Sequence, residues 1–285
     1  MKLGFIDVGS NSVRLMTWAD GKSLYKRIAT TRLAEGIAGS GVISLAAAMR
    51  TANAIRDFAM QARDDGAERV YVFATEALRA AKNGAEIKQL IERESGLIID
   101  LISGEKEAEI GLLGALGDGD GCIVDVGGAS SEVIVKRGGN IVYAKSLPIG
   151  AVRIYDACGQ EKESIQNYIA SIVCDFRDAP KSSVTAIGGT ATALAAVDLS
   201  LSVYDGSVVT GHTMTTARLY EWADRLLSMS VEDRKQITGM DQKRAEIIGG
   251  GAMLLYQIAC EIGATEVRVS DEDNLEGYAR GITGR

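Results

Sequence analysis

The chain has 285 residues, 46% of them hydrophobic, which is enough to bury a full core and, at roughly 100 to 200 residues per domain, suggests two domains. A formal charge of -7 disfavours long-range attraction of nucleic acid or an anionic membrane, and no apolar run approaches the roughly 18 residues of a membrane-crossing helix. One histidine, His212, excludes a multi-histidine metal centre.

The elements are expected in this order. A hairpin spans about 2 to 28, and an amphipathic helix follows near 44 to 64, with Leu45, Met49, Ala52, Ile55, Ala59 and Ala62 at three-or-four spacing. Strands near 69 to 74 and 97 to 102 alternate with helices near 84 to 94 and 105 to 116, the pattern of a mixed βαβ layer. The Gly117–Gly121 stretch, alternating Gly with Asp, is short, polar and flexible, so it marks the boundary between a domain of residues 1–117 and a second of residues 118–285. Strands near 121 to 126, 131 to 136, 140 to 147, 183 to 187 and 266 to 269 follow, interleaved with helices near 161 to 177, 190 to 197, 214 to 228 and 244 to 262. Cys122, Cys158, Cys174 and Cys260 form no CxxC pair and read as reduced core residues. The first residues read as a strand rather than a secretion signal, so a cytoplasmic protein is expected.

An internal echo carries the most information. Asp7, Val8, Gly9 and Ser12 match Asp125, Val126, Gly127 and Ser130 at a constant offset, and each copy is an apolar strand ending in Asp, a Gly/Ser turn and a second apolar run. Turns of this kind gather backbone amides into a concavity that binds phosphate oxygens, so Gly9, Ser10, Asn11 and Ser12 in one copy and Gly127, Gly128 and Ser130 in the other are candidate phosphate loops. Asp125 and Glu132 flank the second loop and, with Asp7 from the first, are candidate ligands for Mg2+, a hard cation that keeps several waters and takes few protein carboxylates.

Ser103 is placed to cap the next helix, and Glu107, Gly111 and Gly114 leave one face of that helix bare, as though the other domain or a ligand approached it. Glu107 is the candidate general base for activating water. Arg79 at a strand end and Arg14 after the first loop are each either a phosphate grip or a surface ion-pair partner. Gly188, Gly189 and Thr190 form a third glycine turn at a helix start, a further phosphate candidate, while His212 reads as a structural loop or cap residue.

These stretches resemble the exopolyphosphatase / guanosine pentaphosphate phosphohydrolase (Ppx/GppA) family of the actin-like ATPase superfamily. FIDVGSNSVRLM, ATEALRAA, LISGEKEAEIGLLGA, IVDVGGASSEVIV, SLPIGAVRI, AIGGTATALAA, RAEIIGGGAML and RVSDEDNLEG match it in order, from residue 3 to about 280. The resemblance implies an α/β fold of two ribonuclease H-like domains with a mixed sheet each and an interdomain cleft. It also implies magnesium-assisted hydrolysis of a terminal phosphoanhydride, with Glu107 as base, Asp125 and Glu132 linked to magnesium, and the Gly9 loop, Arg79, Gly127 and Gly128 on phosphate. Family members often dimerise, which leaves a homodimer open here.

The departures are Ala129 and Ser131 where the family usually has Gly and Thr, and Asn274-Leu275-Glu276-Gly277 where it has Leu-Arg-Glu-Gly, with Glu272 and Asp273 alongside. The chain also lacks room for the helical C-terminal domains of long members, so short polyphosphate or guanosine pentaphosphate is expected as substrate rather than long polymer. A kinase of the same superfamily and a catalytically silent phosphate or nucleotide sensor are the competing readings; the Glu107 motif weighs against the first.

Overall fold

A computed structural model describes residues 1–35 and 37–284. They form two compact units, Met1–Gly114 with Asn274–Arg285, and Ala115–Asp273.

In the first unit, β1 (Lys2–Val8) is buried from Leu3 to Val8, Asp7 included, as a central strand with an apolar stretch over Leu3–Ile6 should be. It pairs antiparallel with β2 (Ser12–Ala19), which pairs with the edge strand β3 (Lys22–Thr30). After α1 (Ile37–Ser40) and α2 (Leu45–Asp64), β4 (Arg69–Ala74) pairs parallel with β1; α3 (Glu76–Ala80) and α4 (Gly84–Ser95) then lead to β5 (Ile99–Leu101), parallel to β4. The sheet order is β3-β2-β1-β4-β5. Ser44 caps α2 by accepting from the Ala47 amide at 3.2 Å. The inward face of α2 runs through Ala48, Thr51, Ala52, Ile55, Ala59 and Ala62, whereas Leu45, expected on it, is exposed. Small residues on that face let the helix lie close to β1.

The helix α5 (Gly104–Leu116) carries the chain into the second unit. There β6 (Gly121–Val126), β7 (Ser131–Arg137) and β8 (Asn140–Leu147) form an antiparallel meander. After α6 (Ala151–Cys158) and α7 (Lys162–Val173), β9 (Val184–Ile187) pairs parallel with β6. Then come α8 (Gly188–Asp198), α9 (Gly206–Val209), β10 (Thr213–Thr215), α10 (Thr216–Ser228), α11 (Val231–Lys235), α12 (Ile248–Glu261) and β11 (Glu266–Val269). The order β10-β11-β9-β6-β7-β8 repeats that of the first sheet and adds β10 at one edge. The internal echo is therefore a repeat of strand order as well as of loops.

Two differences from the sequence reading are topological. The boundary by contacts lies inside α5, three residues before the expected glycine linker. More consequentially, α13 (Asn274–Thr283) belongs to the first unit, not to a domain of residues 118–285. The reason is packing: Leu275, Tyr278 and Ala279 join Leu3, Phe5, Met16, Trp18, Phe73, Ile102 and Ile110 in one buried cluster on the face of the first sheet opposite α2. The Tyr278 ring stacks on Phe73 at 4.4 Å and meets Phe5 edge-on. Of the cysteines only Cys122 is fully buried, and Cys260 is exposed. Among the described residues no helix is long and apolar enough to cross a membrane.

Candidate functional site

Each unit carries one of the two candidate phosphate loops, built the same way. In the first, the Gly9 amide donates to the Ser12 carbonyl at 3.0 Å; in the second, the Gly127 amide donates to the Ser130 carbonyl at the same distance. Both turns expose their two central residues, Ser10 and Asn11 in one and Gly128 and Ala129 in the other.

The carbonyls of the loops are taken by their own unit. Ser10 O accepts from Ala34 N, and Asn11 O from Thr31 N and Arg32 N. Gly127 O accepts from Ala151 N, while Gly128 O accepts from Val152 N and Arg153 N at the start of α6. With carbonyls held this way, the amides of Ser10, Asn11, Gly128 and Ala129 meet no acceptor among the described residues. Such a set of donors suits an anion.

In the first unit Arg79, on α3, reaches the start of α5. Its Nη1 donates to Ile102 O and its Nη2 to Glu107 Oε2, both at 2.7 Å. Ser103 caps α5 as expected, its Oγ accepting from Lys106 N at 3.1 Å and its carbonyl from Glu107 N at 2.9 Å. The candidate base and the candidate phosphate grip are thus bonded to each other, each about a quarter exposed.

Asp7 is 4% exposed and lies directly across the hairpin from Arg14, whose Nε and Nη2 both donate to Asp7 Oδ2. A guanidinium therefore already occupies the side of Asp7 toward β2, and a metal there would have to displace it. Arg14, left open between phosphate grip and ion-pair partner, is an ion-pair partner in this structure.

The bare face of α5 is occupied over Gly111 and Gly114. It is covered by α13 of the same unit: a Cβ at Gly277 would strike the Ile110 carbonyl, and one at Gly111 would lie 3.0 Å from Asn274 Oδ1. Arg280 Nη1 adds bonds to Leu113 O and Gly114 O at the end of that face. Leu275, which stands where the family has arginine, is a core residue.

In the second unit Asp125 and Glu132 are direct partners across β6 and β7, hence on one face of the sheet. Glu132 also accepts from Ser146 Oγ at 2.6 Å. Two carboxylates in this relation, beside a loop of exposed amides, fit a divalent cation that takes its remaining ligands from water and phosphate. Among the described residues no cluster of three or more His, Cys, Asp or Glu could form an all-protein metal cage.

Gly188 has φ +80, open to glycine at little cost, and a Cβ there would overlap the Asp125 carboxylate, so the turn into α8 walls that side of the acid. Thr190, expected on phosphate, is 3% exposed and donates its hydroxyl to Val126 O at 3.0 Å. It fastens α8 to the end of β6 instead. Ser131, replacing the usual Thr, does the same for the segment before α6, donating to Ile149 O at 2.7 Å. Ala129 keeps an exposed position, so its methyl faces solvent at the loop.

Sequence reasoning missed Arg244. Its guanidinium rests on the Gly189 backbone, where a Cβ would overlap it, and its nearest acid, Asp241, stands 3.6 Å away. The expected helix from 244 begins only at Ile248, so Arg244 sits on a turn ahead of it. That turn is tied down by the fully buried Arg234, which donates to Leu226 O at 2.6 Å and Ala245 O at 3.1 Å. The stretch RAEIIGGG was the available signal.

His212 is structural. Its Nε2 lies 2.7 Å from Asp198 Oδ2, and Asp198 also accepts from Arg218 Nε and Trp222 Nε1.

Two repeated α/β units with matching candidate phosphate loops and an acid at a capped helix start are the features to be expected of a phosphate-handling enzyme of the actin-like fold. A model of the Ppx/GppA phosphatase family matches residues 18–282, and the chain belongs to that family. Exopolyphosphatase 2 of Mycobacterium tuberculosis is 27% identical, over 99% of each chain. The guanosine-5'-triphosphate,3'-diphosphate pyrophosphatase of Aeromonas hydrophila is 24% identical, over 98% of this chain and 59% of its own. The Aquifex aeolicus Ppx/GppA phosphatase superposes with a TM-score of 0.88 at 27% identity, covering 99% of both chains.

Proposed function

We propose that the protein releases the terminal phosphate of inorganic polyphosphate, short chains favoured, or of guanosine pentaphosphate, using water activated by Glu107. The observation that carries this reading is the pairing of Glu107 with Arg79 at the start of α5, which puts a carboxylate able to take a proton beside a guanidinium able to hold phosphate.

The water oxygen attacks the terminal phosphorus in line, the bridging P–O bond breaks, and the electron pair leaves on the shortened chain. The water proton passes to the Glu107 carboxylate. Loop amides at Ser10 and Asn11 in one unit and Gly128 and Ala129 in the other bind phosphate oxygens without adding charge of their own. Asp125 and Glu132 are the residues that would hold Mg2+, whose charge, when bound, would offset that of the phosphate chain. The names of the relatives from M. tuberculosis and A. hydrophila support both substrate types.

The test is phosphate release from tripolyphosphate, guanosine pentaphosphate and ATP with magnesium, for the intact chain and for Glu107→Gln. Release from one of the first two substrates, falling about 100-fold or more in Glu107→Gln, is the expected result, since a positioned base contributes roughly 10²–10⁴ in rate. Retained binding with no release from any of them would establish the sensor instead.

A further inference from the structure

Arg79 cannot serve phosphate and keep its present contacts at full strength. Every bidentate edge of a guanidinium includes Nη2, and here Nη2 holds Glu107 at 2.7 Å while Nη1 holds the Ile102 carbonyl at 2.7 Å. A phosphate oxygen arriving on either edge comes in beside the Glu107 carboxylate, and two anions so placed repel. Which contact yields follows from strength. The Arg79–Glu107 pair has both side chains about a quarter exposed, so water screens it, whereas a multiply charged phosphate on a guanidinium fork makes two charge-assisted bonds at once.

We infer that Arg79 exchanges partners: it holds Glu107 until a terminal phosphate takes its guanidinium, so that the charge of the substrate itself releases the base. This rests on the proposed role of Glu107. It makes Arg79 a specificity-determining residue, selecting for highly charged phosphate ends over weakly charged esters. It also keeps Glu107 Oε2 bonded to Arg79 whenever no such anion is bound. The start of α5 is fixed by Ser103, so the exchange needs only the two side chains to move.

The experiment is a double-mutant cycle on binding, read by calorimetry with a methylene-bridged, non-hydrolysable triphosphate, using the full chain as wild type, Glu107→Gln, Arg79→Gln and the double variant. Partner exchange predicts that Glu107→Gln binds about tenfold tighter than wild type, and that the gain shrinks below about twofold when Arg79 is also Gln. Equal gains in both backgrounds would mean that Glu107 only repels the ligand through space; no gain in either would mean that Arg79 takes phosphate without letting go of Glu107. Either result overturns the inference. If Arg79→Gln fails to fold, judged by its melting curve, Arg79→Met replaces it, since a methionine keeps much of the side-chain length and removes the charge that pairs with Glu107. Turnover by Glu107→Gln is scored separately: persistence would remove the base reading and leave the binding cycle interpretable on its own.

Discussion

Asp7 and Asp125 stand at equivalent points of two hairpins and meet opposite neighbours. Across from Asp7 is Arg14, and across from Asp125 is Glu132. One difference of residue type thus gives the first hairpin an internal ion pair and the second a pair of carboxylates, the arrangement proposed to hold the cation. Thermal unfolding of the wild-type chain is therefore expected to shift upward with millimolar magnesium, by a few degrees, because a ligand bound only to the folded state stabilises it by RT ln(1 + c/Kd), with c the free ligand concentration. Glu132→Gln should abolish most of that shift, while Asp7→Asn should leave it in place and lower the melting temperature with or without metal. A magnesium shift that survives Glu132→Gln but disappears in Asp7→Asn would move the metal to the first unit. The loops and acids were legible in the sequence because duplication repeats them at a fixed offset. The direction of a hydroxyl was not: Thr190 bonds back to Val126 at the end of β6 and Ser131 forward to Ile149 ahead of α6, partners that lie 64 and 18 residues away in sequence.

At the scale of elements, α5 is the one on which packing and chemistry meet. Its first turn carries Glu107, and its later turns carry glycines that the sequence alone assigned to the other domain or a ligand. The occupant is α13, which approaches so closely that Gly277 has the Ile110 carbonyl and the Gly114 amide where a side chain would be. Backbone cannot step aside as a side-chain tip can. Gly277→Ala is accordingly expected to destabilise the protein by about 1–3 kcal/mol, despite the roughly 1 kcal/mol that alanine contributes to helix propensity. Urea denaturation measures this, and neutrality or a gain would show that α5 and α13 tolerate separation. Helix α13 escaped the sequence reading because its apolar residues are few and its partners, Leu3, Phe5 and Phe73, lie some 200 or more residues earlier.

At the scale of the whole molecule, chain order and spatial order part company. The α/β class, the mixed sheets and the repeat of β1–β2 by β6–β7 follow from periodicity and from the echoed motif, but membership of the final segment depends on a long-range contact that no local pattern reveals. This difference has a discriminating test. Ending the chain at Asp273 strips the first sheet of the helix that covers Leu3, Phe5, Met16, Trp18 and Phe73, and removes both the Tyr278 stack on Phe73 and the Tyr278 hydroxyl bond to Asp100 at 2.8 Å. Loss of one buried aromatic costs about 3–5 kcal/mol, so losing Tyr278 with Leu275 and the rest of α13 is enough to unfold a unit of ordinary stability. The second unit keeps its own core of β6, β9, α8 and α12 residues untouched. Amide hydrogen exchange on the shortened chain should therefore show β1 and β4 losing protection while β6 and β9 retain it. The reverse pattern, protection lost in β6 and kept in β1, would return the last helix to the second domain, where chain order alone had placed it.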